Sequence, residues 1–335
     1  MQTARQWQLT RRPHGAATTE DFALVEAPVP EPGPGQVVVR NTRLSVDPYM
    51  RGRMDDRPSY IAPFELHAPL DGAAVGVVTE SRADGFKPGQ VVEHFAGLRE
   101  VSVLDAAAVS PVALDGHAPE TFLGPLGTTG FTAWLGTTEI APVREGDTVF
   151  VTGAAGAVGG LAGQIARLRG AARVIGSASG AKVEYLVDEL GYDAAFDYRG
   201  TDPAEELSRL APDGLDTVFD NVGGPQLEAA LGRLRLGARI ALCGMASQYD
   251  GRERYGIRNL FELTKQRATA RGFIVSDHYD RLAQFREEVG GWLHDGRLSH
   301  RESVFEGIES VPEAFLGLLR SGAPTSGKVV VRLEG

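Results

Sequence analysis

Val149-Phe-Val-Thr-Gly-Ala-Ala-Gly-Ala-Val-Gly159 is the stretch on which the fold turns. An apolar strand pattern, 149–151, runs into a turn with glycines at 153, 156 and 159, and a small-residue helix pattern continues to Gly170. Strand, glycine turn and helix in that order leave unpaired backbone N–H groups beside the positive end of a helix dipole, an arrangement suited to a pyrophosphate. The spacing is Gly-x-x-Gly-x-x-Gly and not the strict Gly-x-Gly-x-x-Gly, so the surrounding pattern carries the inference. The alternative is a turn whose small residues only let helix and strand pack closely.

Working outward, strand patterns at 148–152, 173–177, 194–196, 217–220 and 239–243 alternate with helix patterns at 157–169, 181–190, 203–210 and 225–234. A helix pattern at 124–138 precedes them. A strand-like run at 269–275 and a long helix pattern at 279–295 follow. Regular alternation predicts an α/β fold with a doubly wound parallel sheet. Residues 1–123 read differently. Strand patterns at 36–46, 73–79, 90–95 and 99–104 are separated by turn signals such as Pro32-Gly-Pro-Gly35 and Lys87-Pro-Gly89, with only a short turn at 48–54. The tail returns to β character, with a helix at 312–320 and a last strand at 328–333 that is expected to rejoin the first domain. The domains are therefore expected at 1–123 with 304–335, and at 124–303.

The chain has 335 residues, 42% hydrophobic and 23% charged, and a net charge of −10. That is an ordinary globular composition, and it offers no basic face for nucleic acid. The N-terminus lacks the apolar core of a signal peptide, and no apolar run approaches the ~18 residues of a membrane span. The single cysteine, Cys243, excludes an intrachain disulfide and fits a reducing cytoplasm.

The second strand of the alternating region ends Gly176-Ser-Ala-Ser-Gly180, with Lys182 just beyond. An acidic residue there would bind the ribose 2′-hydroxyl of NAD. Hydroxyl side chains and a lysine favour NADP(H), although Lys182 also reads as a solvated residue of a first helical turn. Asp220-Asn-Val-Gly-Gly224 and Cys243-Gly-Met-Ala-Ser-Gln-Tyr249 end the fourth and fifth strands, where open α/β sheets bind ligands.

Several motifs extend the pattern: Ser45-Val-Asp-Pro-Tyr-Met-Arg-Gly-Arg-Met54, Ala154-Ala-Gly-Ala-Val-Gly159, Phe219-Asp-Asn-Val-Gly-Gly224, Ser247-Gln-Tyr249, Gly272-Phe-Ile-Val275 and Pro312-Glu-Ala-Phe-Leu-Gly-Leu-Leu319. With these the chain resembles the zinc-independent medium-chain dehydrogenase/reductase superfamily. Within it, the likeness is to the leukotriene B4 12-hydroxydehydrogenase/prostaglandin reductase and curcumin-reductase-like group. The resemblance implies a Rossmann domain plus a β-rich, GroES-like substrate domain, and NADPH-dependent reduction of a carbon–carbon double bond conjugated to a carbonyl. It implies that Gly156, Ala157, Val158 and Gly159 contact the pyrophosphate and that Lys182 and Tyr198 hold the 2′-phosphate. Asn221, Cys243, Gly244, Met245, Ser247, Tyr249, Phe273, Ile274 and Val275 would line the ribose and nicotinamide. Thr325 stands where relatives carry asparagine.

No metal is expected: zinc sites need clustered ligands, and His14, His67, His94 and His117 show no such spacing. A hydrogen-bond donor must then polarise the substrate carbonyl. Tyr49, inside the most specific motif, is the first candidate, followed by Tyr249 and Tyr255, with the cofactor ribose hydroxyl as another. The expected partners are a small apolar enone or enal and a second copy of the chain, joined through 269–275. An NADPH quinone oxidoreductase, or a protein that binds NADPH without turnover, are the competing functions.

Overall fold

The structure, a computed structural model, describes residues 2–249, 255–320 and 324–334. Their contacts divide the chain into two compact units. One comprises Met1–Leu123, Glu302–Thr325 and Val329–Gly335, and the other Gly124–Arg301 with Ser326–Lys328.

The second unit is built on a six-stranded parallel sheet. Its spatial order is Ala194–Asp197, Arg173–Ala178, Thr148–Val151, Leu215–Asp220, Leu234–Leu242 and Thr269–Gly272. In chain order this is 3-2-1-4-5-6, the arrangement in which the crossovers reverse direction between the first and fourth strands. Phe150, Ile175, Val218 and Ile240 are buried along these strands. Such continuous apolar runs are what a sheet covered on both faces requires. The glycine turn therefore opens at the switch point, beyond the carboxyl ends of the strands. This is the doubly wound parallel sheet expected from the alternation, and the Rossmann architecture that the resemblance implies.

Several elements differ from expectation, three of them as follows. The helix at 181–190 is an α turn, Lys182–Glu184, continued as a π-turn, Tyr185–Glu189. The fifth strand begins at Leu234, because Leu234 pairs with Leu215 ahead of an irregularity in the ladder. The long helix at 279–295 is a 3₁₀ run, Val275–Arg281, kinked at His278, followed by an α-helix, Leu282–His294.

The first unit carries a mainly antiparallel sheet ordered Glu302–Glu306, Lys328–Arg332, Gln36–Ser45, Ala74–Ser81, Val91–His94 and Val109–Pro111, with Val101–Asp105 also paired to Gln36–Ser45. The last strand joins this sheet through the pair Val330 and Ser45. Its core gathers Leu44, Val46, Met50, Met54, Leu70 and Val331 with Phe315 of the helix Val311–Leu319. Glu120 ties two strands together, accepting from Arg43 Nε at 2.6 Å and Arg332 Nη2 at 2.9 Å.

The helix Ala157–Leu168 lies against the sheet through small residues. Tyr192 crosses it, and its buried hydroxyl donates to the Gly159 carbonyl at 2.7 Å. A Cβ at Gly163 would fall inside the Tyr192 ring. Gly163→Ala should therefore destabilise the protein by about 1–3 kcal/mol, measured as a lower denaturation midpoint; an unchanged midpoint would contradict this packing.

Candidate functional site

At the switch point, side chains of adjacent strands lock the ends together. Thr152 Oγ1 donates to Asp220 Oδ1 at 2.6 Å and accepts from the Asn221 amide at 2.8 Å. The Asn221 side chain donates to the Thr152 carbonyl at 2.7 Å. Asp220 also accepts from the backbone of Val222 and Gly223, and its carbonyl accepts from Cys243 and Gly244. Ser247 Oγ donates to the Val222 carbonyl at 2.6 Å. Residues 221, 243–245 and 247 are thereby brought to one sheet end. Burial raises the Asp220 carboxyl above its usual range, against the hydrogen bonds it accepts. Burial, with Asp220 beside it, pushes the Cys243 thiol up to about 12, so it stays protonated at neutral pH.

Gly156 caps the helix Ala157–Leu168 with extended backbone. A Cβ at Gly159 would overlap the Gly153 carbonyl, so the turn admits no larger residue there. The Gly327 N–H donates to the Ala155 carbonyl at 2.9 Å and sets this tail residue beside Gly156. Thr325 precedes it by two positions and is half-buried. The segment 273–275 follows the edge strand, whose Gly272 is level with Leu242, so it lies beside the chain leading into Cys243.

Lys182 and Tyr198 flank the ends of the second and third strands. The Lys182 amide donates to the Ser179 carbonyl and the Tyr198 amide to that of Ala178. The Lys182 ammonium is half-buried, has no acidic partner among the described residues, and is lowered in pKa by that burial. An uncompensated cation just beyond the end of the second strand fits a phosphorylated ribose. Sequence reasoning missed Asp197, whose carboxylate lies 3.5 Å from where a Gly180 Cβ would stand. It comes from the third strand, and only the sheet order brings it here.

The three tyrosines have different surroundings. Tyr49, in the first unit, begins the short helix Met50–Arg53 and stacks on Phe95, centroids 6.5 Å apart. Its hydroxyl is buried with no hydrogen-bond partner among the described residues. Burial, then the Asp47 charge, raises its pKa, and Arg53 opposes them. Arg53 is held by Asp71 and by the Ala62 carbonyl, its guanidinium 4.1 Å from the Phe64 ring centre. Tyr249, in the second unit, has its oxygen engaged by the Met245 amide at 3.3 Å. The Tyr255 hydroxyl accepts from Arg258 at 2.7 Å, beneath the same guanidinium.

A family profile described as the N-terminal domain of oxidoreductase matches residues 5–112, and one described as zinc-binding dehydrogenase matches 157–289. The NADPH-dependent curcumin reductase of Escherichia coli is 37% identical over 342 residues, covering 100% of this chain and 98% of that protein. The chain belongs to the medium-chain dehydrogenase/reductase superfamily. The NADP(+)-dependent 2-alkenal reductase of Nicotiana tabacum is 39% identical, covering 92% of this chain and 90% of that protein. The crystal structure of CurA from Vibrio vulnificus in complex with NADPH superimposes with a TM-score of 0.93 at 37% identity, covering 99% of this chain and 100% of that one.

The matched zinc-binding profile makes the histidines worth following. Among the described residues no three His, Cys, Asp or Glu side chains group as a metal site. His94 Nδ1 accepts from the Ala96 amide at 3.0 Å, so Nε2 carries the proton to Asn41 Oδ1 at 2.8 Å. Burial, then the charge of Arg99, lowers His94 to about 4. A depressed histidine contributes stability that is complete above its unfolded value of about 6.5 and is lost as pH falls toward the folded value. Lowering pH from 7 to 5 should cost about 2 kcal/mol through this residue. Urea unfolding of the native protein and His94→Gln at both pH values checks this, and a His94 resonance titrating near its unperturbed value would contradict it.

Proposed function

We propose that this protein reduces the carbon–carbon double bond of α,β-unsaturated ketones or aldehydes, using NADPH and no metal. The buried, unpartnered hydroxyl of Tyr49 is the observation that carries this reading. A buried donor left without an acceptor is costly, and a substrate carbonyl oxygen satisfies it. The similarity to enzymes named as curcumin and 2-alkenal reductases supports the substrate class.

In this reading the backbone of Gly156, Ala157, Val158 and Gly159 cradles the pyrophosphate, and Lys182 with Tyr198 holds the 2′-phosphate. Asn221, Cys243, Gly244, Met245, Ser247, Tyr249, Phe273, Ile274, Val275 and Thr325 complete the dinucleotide site. NADPH, when bound, supplies the hydride that adds to the β-carbon. Tyr49 donates its O–H to the carbonyl oxygen and stabilises the negative charge that develops there. Its raised pKa keeps the proton in place until such an acceptor arrives. The enolate then takes a proton at the α-carbon. Tyr249 and Tyr255 are secondary candidates, since each hydroxyl has a protein partner and neither is a buried group left unpartnered. The occupied ring nitrogens of His94 support a metal-free reaction.

The proposal includes a homodimer in a reducing compartment such as the cytoplasm. The sheet-edge strand Thr269–Gly272 is exposed along its length, and Phe261 and Leu236 are 70% and 68% exposed. Such an edge with apolar neighbours suits pairing with a second copy.

Two substitutions separate the roles. Tyr49→Phe should lower kcat for an aryl or alkyl enone about 100-fold, with the affinity for NADPH unchanged; native turnover would remove Tyr49 from the reaction. Lys182→Ala should weaken NADPH binding about 10- to 100-fold and leave NADH binding nearly as it was. Equal loss for both cofactors would show that Lys182 does not read the 2′-phosphate.

A further inference from the structure

The element that begins with Lys182 is irregular. One α turn, Lys182–Glu184, gives way to a π-turn, Tyr185–Glu189. Such bulges are uncommon and recur at functional positions. Side chains three apart share a helix face, so the placement of Tyr185 fixes the rotation of the turn that bears Lys182.

Arg301 grips the π-turn at both ends. Its guanidinium lies over the Tyr185 ring, 4.4 Å from the centre. Its Nη2 donates to both Glu189 oxygens, at 2.7 and 2.5 Å. The main chain of Arg301 reaches the other way. Its carbonyl accepts from the Lys328 amide at 2.9 Å. Gly327, at φ +67°, passes so close to that carbonyl that any Cβ would overlap it. Gly327 in turn bonds Ala155 in the glycine turn. The segment is anchored further by Gln164, which accepts from the Ser299 amide at 2.8 Å and donates to the Ser299 carbonyl at 2.9 Å. A continuous set of contacts thus runs from the glycine turn through Arg301 to the helix of Lys182.

We propose that Arg301 is a positioning residue for recognition of the cofactor 2′-phosphate, holding the Lys182 turn in register with the glycine turn. This rests on the NADPH reading above. The side chains of Arg301 and Glu189 are 45% and 53% exposed, so their ion pair adds little to overall stability. What it does is orient Tyr185.

The test is a set of fluorescence titrations of the whole protein with NADPH, NADH and 2′,5′-ADP, for the native chain, Arg301→Ala, Arg301→Lys and Glu189→Gln, alongside thermal midpoints. Arg301→Ala should weaken NADPH and 2′,5′-ADP roughly tenfold while NADH changes less than about twofold, with the midpoint almost unmoved. Glu189→Gln should weaken the same two ligands by less, and Arg301→Lys should recover part of the loss. Equal weakening of NADPH and NADH, or no weakening of either, overturns the proposal while leaving the NADPH reading intact. A native protein that binds NADPH no more tightly than NADH overturns the NADPH reading itself, and the role of Arg301 with it.

Discussion

The parallel-sheet unit depends on one buried carboxylate. Asp220 ends the fourth strand and is fully buried. It accepts from Thr152 on the first strand and from the amides that open its own turn. Its carbonyl receives the amides of Cys243 and Gly244 from the fifth. Three strand ends are therefore fixed to one another where the crossovers reverse. Without that lock the glycine turn, Asn221 and the Cys243 segment would be separate loops. With it they form one rigid rim, which is what a dinucleotide site requires of its scaffold. Burial opposes ionisation of Asp220, and the hydrogen bonds it accepts favour it. Such a group is tolerated inside a protein only when it is fully used.

Charge and burial divide the remaining tasks. Lys182 is a half-buried cation with no acidic partner among the described residues, and its depressed pKa reflects its desolvation. The Tyr49 hydroxyl is buried with no hydrogen-bond partner among the described residues, while those of Tyr249 and Tyr255 have partners. Buried polar groups are mostly hydrogen-bonded in native interiors, and in the proposed function a bound molecule completes these two. In the proposed function, NADPH and a conjugated carbonyl supply the two missing partners, an anion and an oxygen.

Much of this was legible in the sequence because it is local. The glycine turn, the apolar strands and the helix after Gly156 each follow from turn chemistry and hydrophobic period. The small residues after Gly176 excluded an acidic ribose ligand at that position. What stayed hidden comes from contacts between distant residues. Leu234 joins the sheet early because Leu215 lies opposite it. The pairing of Thr3–Leu9 with Phe22–Pro28 and the helix Phe261–Gln266 have patterns too weak to stand out alone. Asp197 reaches Gly180 only because the third strand neighbours the second. The π-turn at Tyr185–Glu189 is contacted by Arg301, more than a hundred residues away. The partner of Tyr255 is three residues on, a spacing visible in sequence, yet its effect on that hydroxyl emerges only from geometry.

In the proposed function, hydride reaches the β-carbon of a conjugated carbonyl. The most direct test is product analysis by NMR after turnover of an enone with NADPH deuterated at the transferring position of C4. The expected product is a saturated ketone with one deuterium at the β-carbon and a solvent-derived hydrogen at the α-carbon. Deuterium at the carbonyl carbon, with formation of an allylic alcohol, would contradict it.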